Sequence, residues 1–385
     1  MNTVEYKSFH EGQMMFNNGT TKEECALLLC GIPFSVFFTL TVTTVASRRY
    51  LALYEFVFII LPVILNITVL SEINHILLIG SVLSNLTIIF ATSDLTNLKS
   101  ILLRNVGDTR SIVTNYRAST NFVSAICILA VDFKIFPRRF AKTESYGFGL
   151  MDLGVGFFVC SHGLVDKCWK QQNNFKKVLK SSVLFLILGL MRVTIIKAVG
   201  YQEHITDITL VIGVTHELLL EIGLKDWVMS EIPRDNLIVA NREGLVSCLG
   251  YVCIYFAAKT IASFLQQLNK ITHAKLLIVL IGMSLVSLMS SLVAFNTIGI
   301  SRRLANLGYI LWVVTLSLIV IVLFLILKVI LMSNEKKNAS KVPTLFESIN
   351  TNGHFSSFLL IVTYMGILCS VTHYLHINNI HLKLL

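Results

Sequence analysis

Val131-Asp132-Phe133-Lys134-Ile135-Phe136-Pro137-Arg138-Arg139-Phe140-Ala141-Lys142-Thr143-Glu144 is the stretch on which the chain turns. An apolar run (122–131) precedes it and a glycine-studded one (146–165) follows. Two acids and four bases therefore sit between two segments apolar enough for a bilayer. Ionisable groups at membrane depth are expensive, which makes such a cluster a candidate site. The competing reading is an anchor, in which Lys and Arg hold helix ends at the headgroups.

Composition decides the class. Of 385 residues, 54% are hydrophobic and only 14% charged, and mean hydropathy is +0.72. An average soluble domain carries about a quarter charged residues. Runs long enough to cross a bilayer, roughly 18 residues, fall at 26–47, 53–70, 74–92, 117–133, 147–165, 181–200, 207–222, 245–266, 275–297, 307–332 and 355–376. The expected fold is all-α, a polytopic transmembrane helical bundle of about eleven spans. A polar tail (1–25) is expected to be luminal, 26–376 to form one membrane domain, and 377–385 a short tail. No basic segment followed by a short apolar one opens the chain, so no cleavable signal peptide is expected. The net charge of +10 is read by its location, as loop bias or lipid attraction, and not as a nucleic-acid footprint.

The sequon Asn18-Gly19-Thr20 is a candidate glycosylation site and requires a luminal N-terminus. Loop charges agree with that orientation. Arg48-Arg49, Lys99, Arg104, Arg110, Arg117, the lysines between 167 and 180, and Arg302-Arg303 then lie in cytosolic loops. The 131–144 stretch falls on the luminal side, where its bases break the positive-inside bias. Charges that orient a chain poorly are better explained by what they bind.

Asp152 sharpens the case. It stands in Gly147-Phe148-Gly149-Leu150-Met151-Asp152-Leu153-Gly154-Val155-Gly156, whose glycines serve close helix packing. A carboxylate there must face a cavity or a base, and the bases nearest in sequence are those of the preceding loop. Further along, the segment 233–244 offers Asn241, Arg242 and Glu243, polar groups suited to a sugar or phosphate and equally to a helix cap.

Phosphate loops, HExxH, paired-cysteine zinc spacing and the GxSxG elbow are not found, so no metal and no cofactor is expected. Asp132 and Lys142 remain, ten residues apart, each beside a span. A positioned carboxylate can take the proton of an alcohol, and a nearby cation can stabilise an oxyanion. Arg138 and Arg139 present forks that match phosphate geometry. Base, electrophile and clamp at a bilayer surface suggest transfer onto a phospholipid-like acceptor.

These residues, with Asn115-Tyr116-Arg117-Ala118, Tyr201-Gln202-Glu203-His204, Ala240-Asn241-Arg242-Glu243-Gly244, Ser301-Arg302-Arg303-Leu304-Ala305-Asn306 and Ile349-Asn350-Thr351-Asn352-Gly353, resemble the inositol acyltransferase of glycosylphosphatidylinositol (GPI) anchor synthesis, the PIG-W family. The motifs come in the family's order along nearly the whole chain. The resemblance implies a multi-pass enzyme of the endoplasmic reticulum that moves an acyl group, typically palmitoyl, from acyl-CoA to the inositol of glucosaminyl-phosphatidylinositol. It implies Asp132 and Lys142 as catalytic residues, and Arg138, Arg139, Glu144, Asp152, Asn241, Arg242 and Glu243 are the expected substrate-binding residues. Lys134 stands where the family has Pro. After Tyr201-Gln202-Glu203-His204 the family continues into an aromatic stretch that this chain lacks, so roughly forty to fifty residues, enough for two spans, are missing near 204–207. Two rivals follow: a catalytically impaired isoform or incomplete gene model, and a transporter, which internal repeats would favour.

Overall fold

The computed structural model describes residues 17–45, 51–92, 95–107, 109–131, 133, 135–165, 217, 219–230, 239, 241–267 and 271–334. These residues are predominantly helical, with isolated bridges and no strand among them. The helices are α1 (Lys22–Val45), α2 (Leu51–Glu55), α3 (Leu61–Ile67), α4 (Asn74–Thr92), α5 (Leu95–Leu102), α6 (Arg110–Ala130), α7 (Leu150–Val165), α8 (Lys225–Met229), α9 (Arg242–Gln267), α10 (His273–Thr297) and α11 (Leu307–Asn334). A π-helical turn (Phe56–Ile60) joins α2 to α3, and another (Leu220–Leu224) leads into α8.

Among the described residues, five segments are long and apolar enough to cross a membrane: Lys22–Thr43, Ser71–Phe90, Arg242–Ala262, His273–Thr297 and Leu307–Ser333. Two apolar helical stretches are shorter, Leu53–Ile67 and Leu150–Val165. The expected spans at 181–200 and 355–376 lie outside the described residues, as does most of 207–222.

Helix α11 is the hub, packing against α1, α5, α6, α7, α9 and α10. Of its span 72% is buried inside the protein, against 17% for Ser71–Phe90, which lies at the rim. Local chemistry starts the helices. Thr21 accepts the Glu24 N–H at the head of α1, the Ser/Thr-x-x-Glu signature of a helix start. Asn306 caps α11 through the Tyr309 N–H at 3.2 Å, and Thr272 caps α10.

The ends of these helices define two faces. One gathers residues 17–20, 71–74, 131–149 and 298–306. Thr20 N–H donates to the Phe148 carbonyl, Arg139 bonds the Ser71 carbonyl, and Gly147 N–H bonds Ile300. The other face joins α5 to the start of α10, where Val106 N–H bonds Ile271 and His273 N–H bonds Arg104. The side assigned to Arg302 and Arg303 is thereby corrected. They lie on the same face as the 131–144 loop, held there by contacts a membrane-separated pair cannot make.

Candidate functional site

The site face is built around a buried carboxylate. Helix α7 begins at Leu150, so Asp152 occupies its first turn rather than its interior. There it reaches back to the Gly149 N–H at 3.1 Å, as an acid at the third helical position does in a capping box. The same carboxylate accepts the Thr143 N–H at 3.1 Å and the Thr143 hydroxyl at 2.8 Å. Arg302 Nε closes the shell at 2.7 Å. Both side chains of this pair are almost fully enclosed, 7% exposed for Arg302 and 5% for Asp152. Burial opposes the Arg302 charge, and the Asp152 carboxylate more than offsets it, holding the guanidinium pKa above its ordinary value. Tyr309 Oη donates to the Asp152 carbonyl at 2.7 Å, tying α11 to the same point.

Asp152 does face a base, as expected, but the base is Arg302, 150 residues away, and not one of the preceding loop. Arg303 works beside it. It donates to the Glu144 carbonyl at 2.9 Å and to the Glu243 carboxylate at 2.7 Å. Arg242 is buried and donates to the Ser230 carbonyl, and the Asn241 carbonyl accepts the Leu245 N–H at 2.9 Å. Glu144, Asp152 and Glu243 are thus brought to one face, linked through Arg302 and Arg303, with Arg242 adjoining Glu243.

The loop itself is laced tightly. Arg138 donates from Nη1 to the Val131 carbonyl at 2.9 Å and from Nη2 to the Phe133 carbonyl at 3.0 Å. Those carbonyls flank Asp132, which lies outside the described residues. Arg139 takes Glu72 at 2.7 Å, both oxygens of Glu24 at 3.3 Å, and the Ser71 carbonyl at 2.9 Å, with its guanidinium 4.8 Å from the Phe140 ring centroid. Burial works against its charge, and the Glu72 and Glu24 carboxylates outweigh it, so its pKa also stands above the ordinary value. These contacts engage the arginine forks with protein. Lys142 is half-buried, one residue before the Thr143 that binds Asp152, and its carbonyl accepts Asn17 Nδ2 at 3.0 Å. Asn18 is exposed on this same face. Sequence reasoning missed Asn17, Glu24, Thr143 and Tyr309; the Thr21-to-Glu24 helix start was the one available signal for Glu24.

A small crevice of about 20 Å³ lies between α1, α3, α4, α6 and α7, lined by residues that include Leu28, Ile32, Val63, Ile67, Leu78 and Leu150.

The family model GWT1 matches residues 6–208 and 206–381, two pieces that meet near the position where the sequence motifs suggest a gap. The GPI-anchored wall transfer protein 1 of Schizosaccharomyces pombe is 31% identical over 312 residues, 69% of this chain and 67% of that protein. The phosphatidylinositol-glycan biosynthesis class W protein of Dictyostelium discoideum is 28% identical over 498 residues, 98% of this chain and 99% of its own length. That alignment is longer than the 385-residue chain itself, as an internal gap requires. The human glucosaminyl-phosphatidylinositol-acyltransferase PIGW is 34% identical over 261 residues, 54% of this chain and 51% of that protein. The chain belongs to the GWT1 family.

Proposed function

We propose that this protein transfers a fatty acyl group to the inositol of glucosaminyl-phosphatidylinositol during GPI-anchor biosynthesis. The observation that carries the reading is the match to a human relative whose name is that activity, across the segment family with which the whole chain aligns. Acyl-CoA is the donor, and the endoplasmic reticulum membrane the location, with the site face luminal.

Asp132 is the general base and Lys142 its cationic partner. Asp132 removes the proton of an inositol hydroxyl, and the freed oxygen attacks the thioester carbonyl of acyl-CoA. The Lys142 ammonium stabilises the oxyanion of the tetrahedral intermediate. Collapse breaks the carbon–sulfur bond, forms the inositol ester, and returns the proton to the departing thiolate. The Asp152–Arg302 pair fixes Thr143, and so the position of Lys142 beside it.

Microsomes bearing Asp132→Asn test this. Acylated glucosaminyl-phosphatidylinositol is expected to fall about a hundredfold to ten-thousandfold, at unchanged protein level. An undiminished rate overturns the mechanism. A second reading, a family member that retains the fold without the activity, is favoured by one observation, the gap near residue 206. The rate of the unmutated chain in the same assay decides between them.

A further inference from the structure

We infer that Asn17 is a positioning residue for the reaction, a side chain of the N-terminal segment that holds the loop carrying Lys142 in its working shape. The inference rests on the reading of Asp132 and Lys142 as the catalytic pair.

Asn17 Nδ2 donates to two carbonyls of that loop, Arg138 at 2.9 Å and Lys142 at 3.0 Å. The orientation of the amide is fixed, because its Oδ1 accepts the Gly19 N–H at 3.0 Å, leaving the nitrogen for the carbonyls. One amide therefore spans the 138–142 turn from first residue to last. The backbone on either side is tied as well: the Asn17 carbonyl accepts Glu144 N–H at 3.0 Å, and Thr20 N–H donates to Phe148 at 2.7 Å. Gly147 admits this strap. A Cβ there would lie 2.1 Å from the Asn18 carbonyl oxygen, and its φ of +136° is one that side chains rarely adopt. From inside the loop, Arg138 holds the carbonyls of Val131 and Phe133. Asn17 thus holds the Lys142 end of the loop while Arg138 holds the backbone around residue 132.

The position of Asn17 favours a clean test, since Asn17→Asp leaves the Asn18-Gly19-Thr20 sequon intact. It keeps the shape and the Oδ1 acceptor, removes both donors, and sets an oxygen against two carbonyls. With the full chain in microsomes, kcat for acceptor acylation is expected to fall about a hundredfold, while KM for acyl-CoA and for glucosaminyl-phosphatidylinositol changes less than about twofold. Asn17→Gln, which retains the –NH₂, is expected to recover at least about tenfold of that loss. If Asn17→Asp does not accumulate as a monodisperse protein, Asn17→Ala, which adds no charge, supplies the same reading. An unchanged kcat, or a loss seen only in KM, in whichever of the two accumulates overturns the inference. So does Asn17→Gln matching Asn17→Asp. Full activity of Asp132→Asn instead removes the catalytic pair, and this inference with it; loss in Asp132→Asn beside unchanged kcat in Asn17→Asp removes the inference alone.

Discussion

At the scale of single residues, Asp152 and Arg302 are the pair whose loss the protein would feel most. Each charge is buried and paired with the other, and the Asp152 carboxylate also accepts from Thr143 and Gly149. Removing one partner of a buried pair leaves an uncompensated charge, at a cost of about 3–5 kcal/mol. Asp152→Asn is therefore expected to lower the melting temperature of the detergent-solubilised protein steeply, and Arg302→Met to do the same. A Tm within a degree or two of the unmutated chain would show that the pair is hydrated rather than buried. The sequence marked Asp152 as a residue in need of a base, because a lone carboxylate near a helix start in lipid is costly. It could not supply the partner. A contact spanning 150 residues leaves no local pattern, and the Arg302-Arg303 doublet looks the same whether it anchors a helix or neutralises a carboxylate.

Among the helices, close approach is bought with glycine. A Cβ on Gly163 of α7 would sit 2.6 Å from the Tyr255 carbonyl oxygen of α9, and one on Gly250 of α9 would sit 2.1 Å from the Ala305 carbonyl oxygen. Both obstacles are backbone atoms, so neither can swing aside. Gly250→Ala is expected to destabilise the protein by about 1–3 kcal/mol, read as a shift in thermal unfolding. An unshifted transition would mean that the 301–306 turn gives way. The arginines of the loop act at this scale too. Arg139 clamps the loop to the start of α1 and the approach to α4. Arg139→Lys, a point charge in place of a fork, is expected to lower thermal stability by about 1–3 kcal/mol while KM for glucosaminyl-phosphatidylinositol moves less than about twofold. A rise in that KM at unchanged stability would assign Arg139 to the acceptor phosphate instead. Helix existence was legible from apolar run length, and the spans at 26–47, 74–92, 245–266, 275–297 and 307–332 all have described counterparts. Helix α5, eight residues long, was not legible, being too short for that signal.

At the scale of the whole molecule, the arrangement of faces is the property on which chemistry depends, because the acceptor headgroup must reach the loop. Run length says how many segments cross, and charge bias says which way, but neither detects an extra or missing crossing inside a region of mixed hydropathy. Charge bias put Arg302 on the side opposite Asp152, and the contact between the two corrects it. Glu217 accepts the Leu307 N–H at 2.9 Å, so the chain has already reached the site face by Glu217. Residues 17–20, 71–74, 131–149, 217–230 and 298–306 then share one side, and the α5 region with residues 271–273 the other. Labelling checks this directly. Thr143 is buried against Asp152 and makes a poor reporter, whereas Glu144 and Ser100 are exposed and stand on opposite faces. Single cysteines at Glu144 and at Ser100 are expected to give opposite outcomes with a membrane-impermeant maleimide in sealed microsomes. The first should be protected until the membrane is opened and the second labelled at once. An endoglycosidase shift that vanishes in Asn18→Gln should place the N-terminal strap with Glu144. Labelling of both cysteines from the same side would break the two-face arrangement, and labelling of Glu144→Cys alone from outside the sealed vesicle would keep the arrangement and invert its orientation.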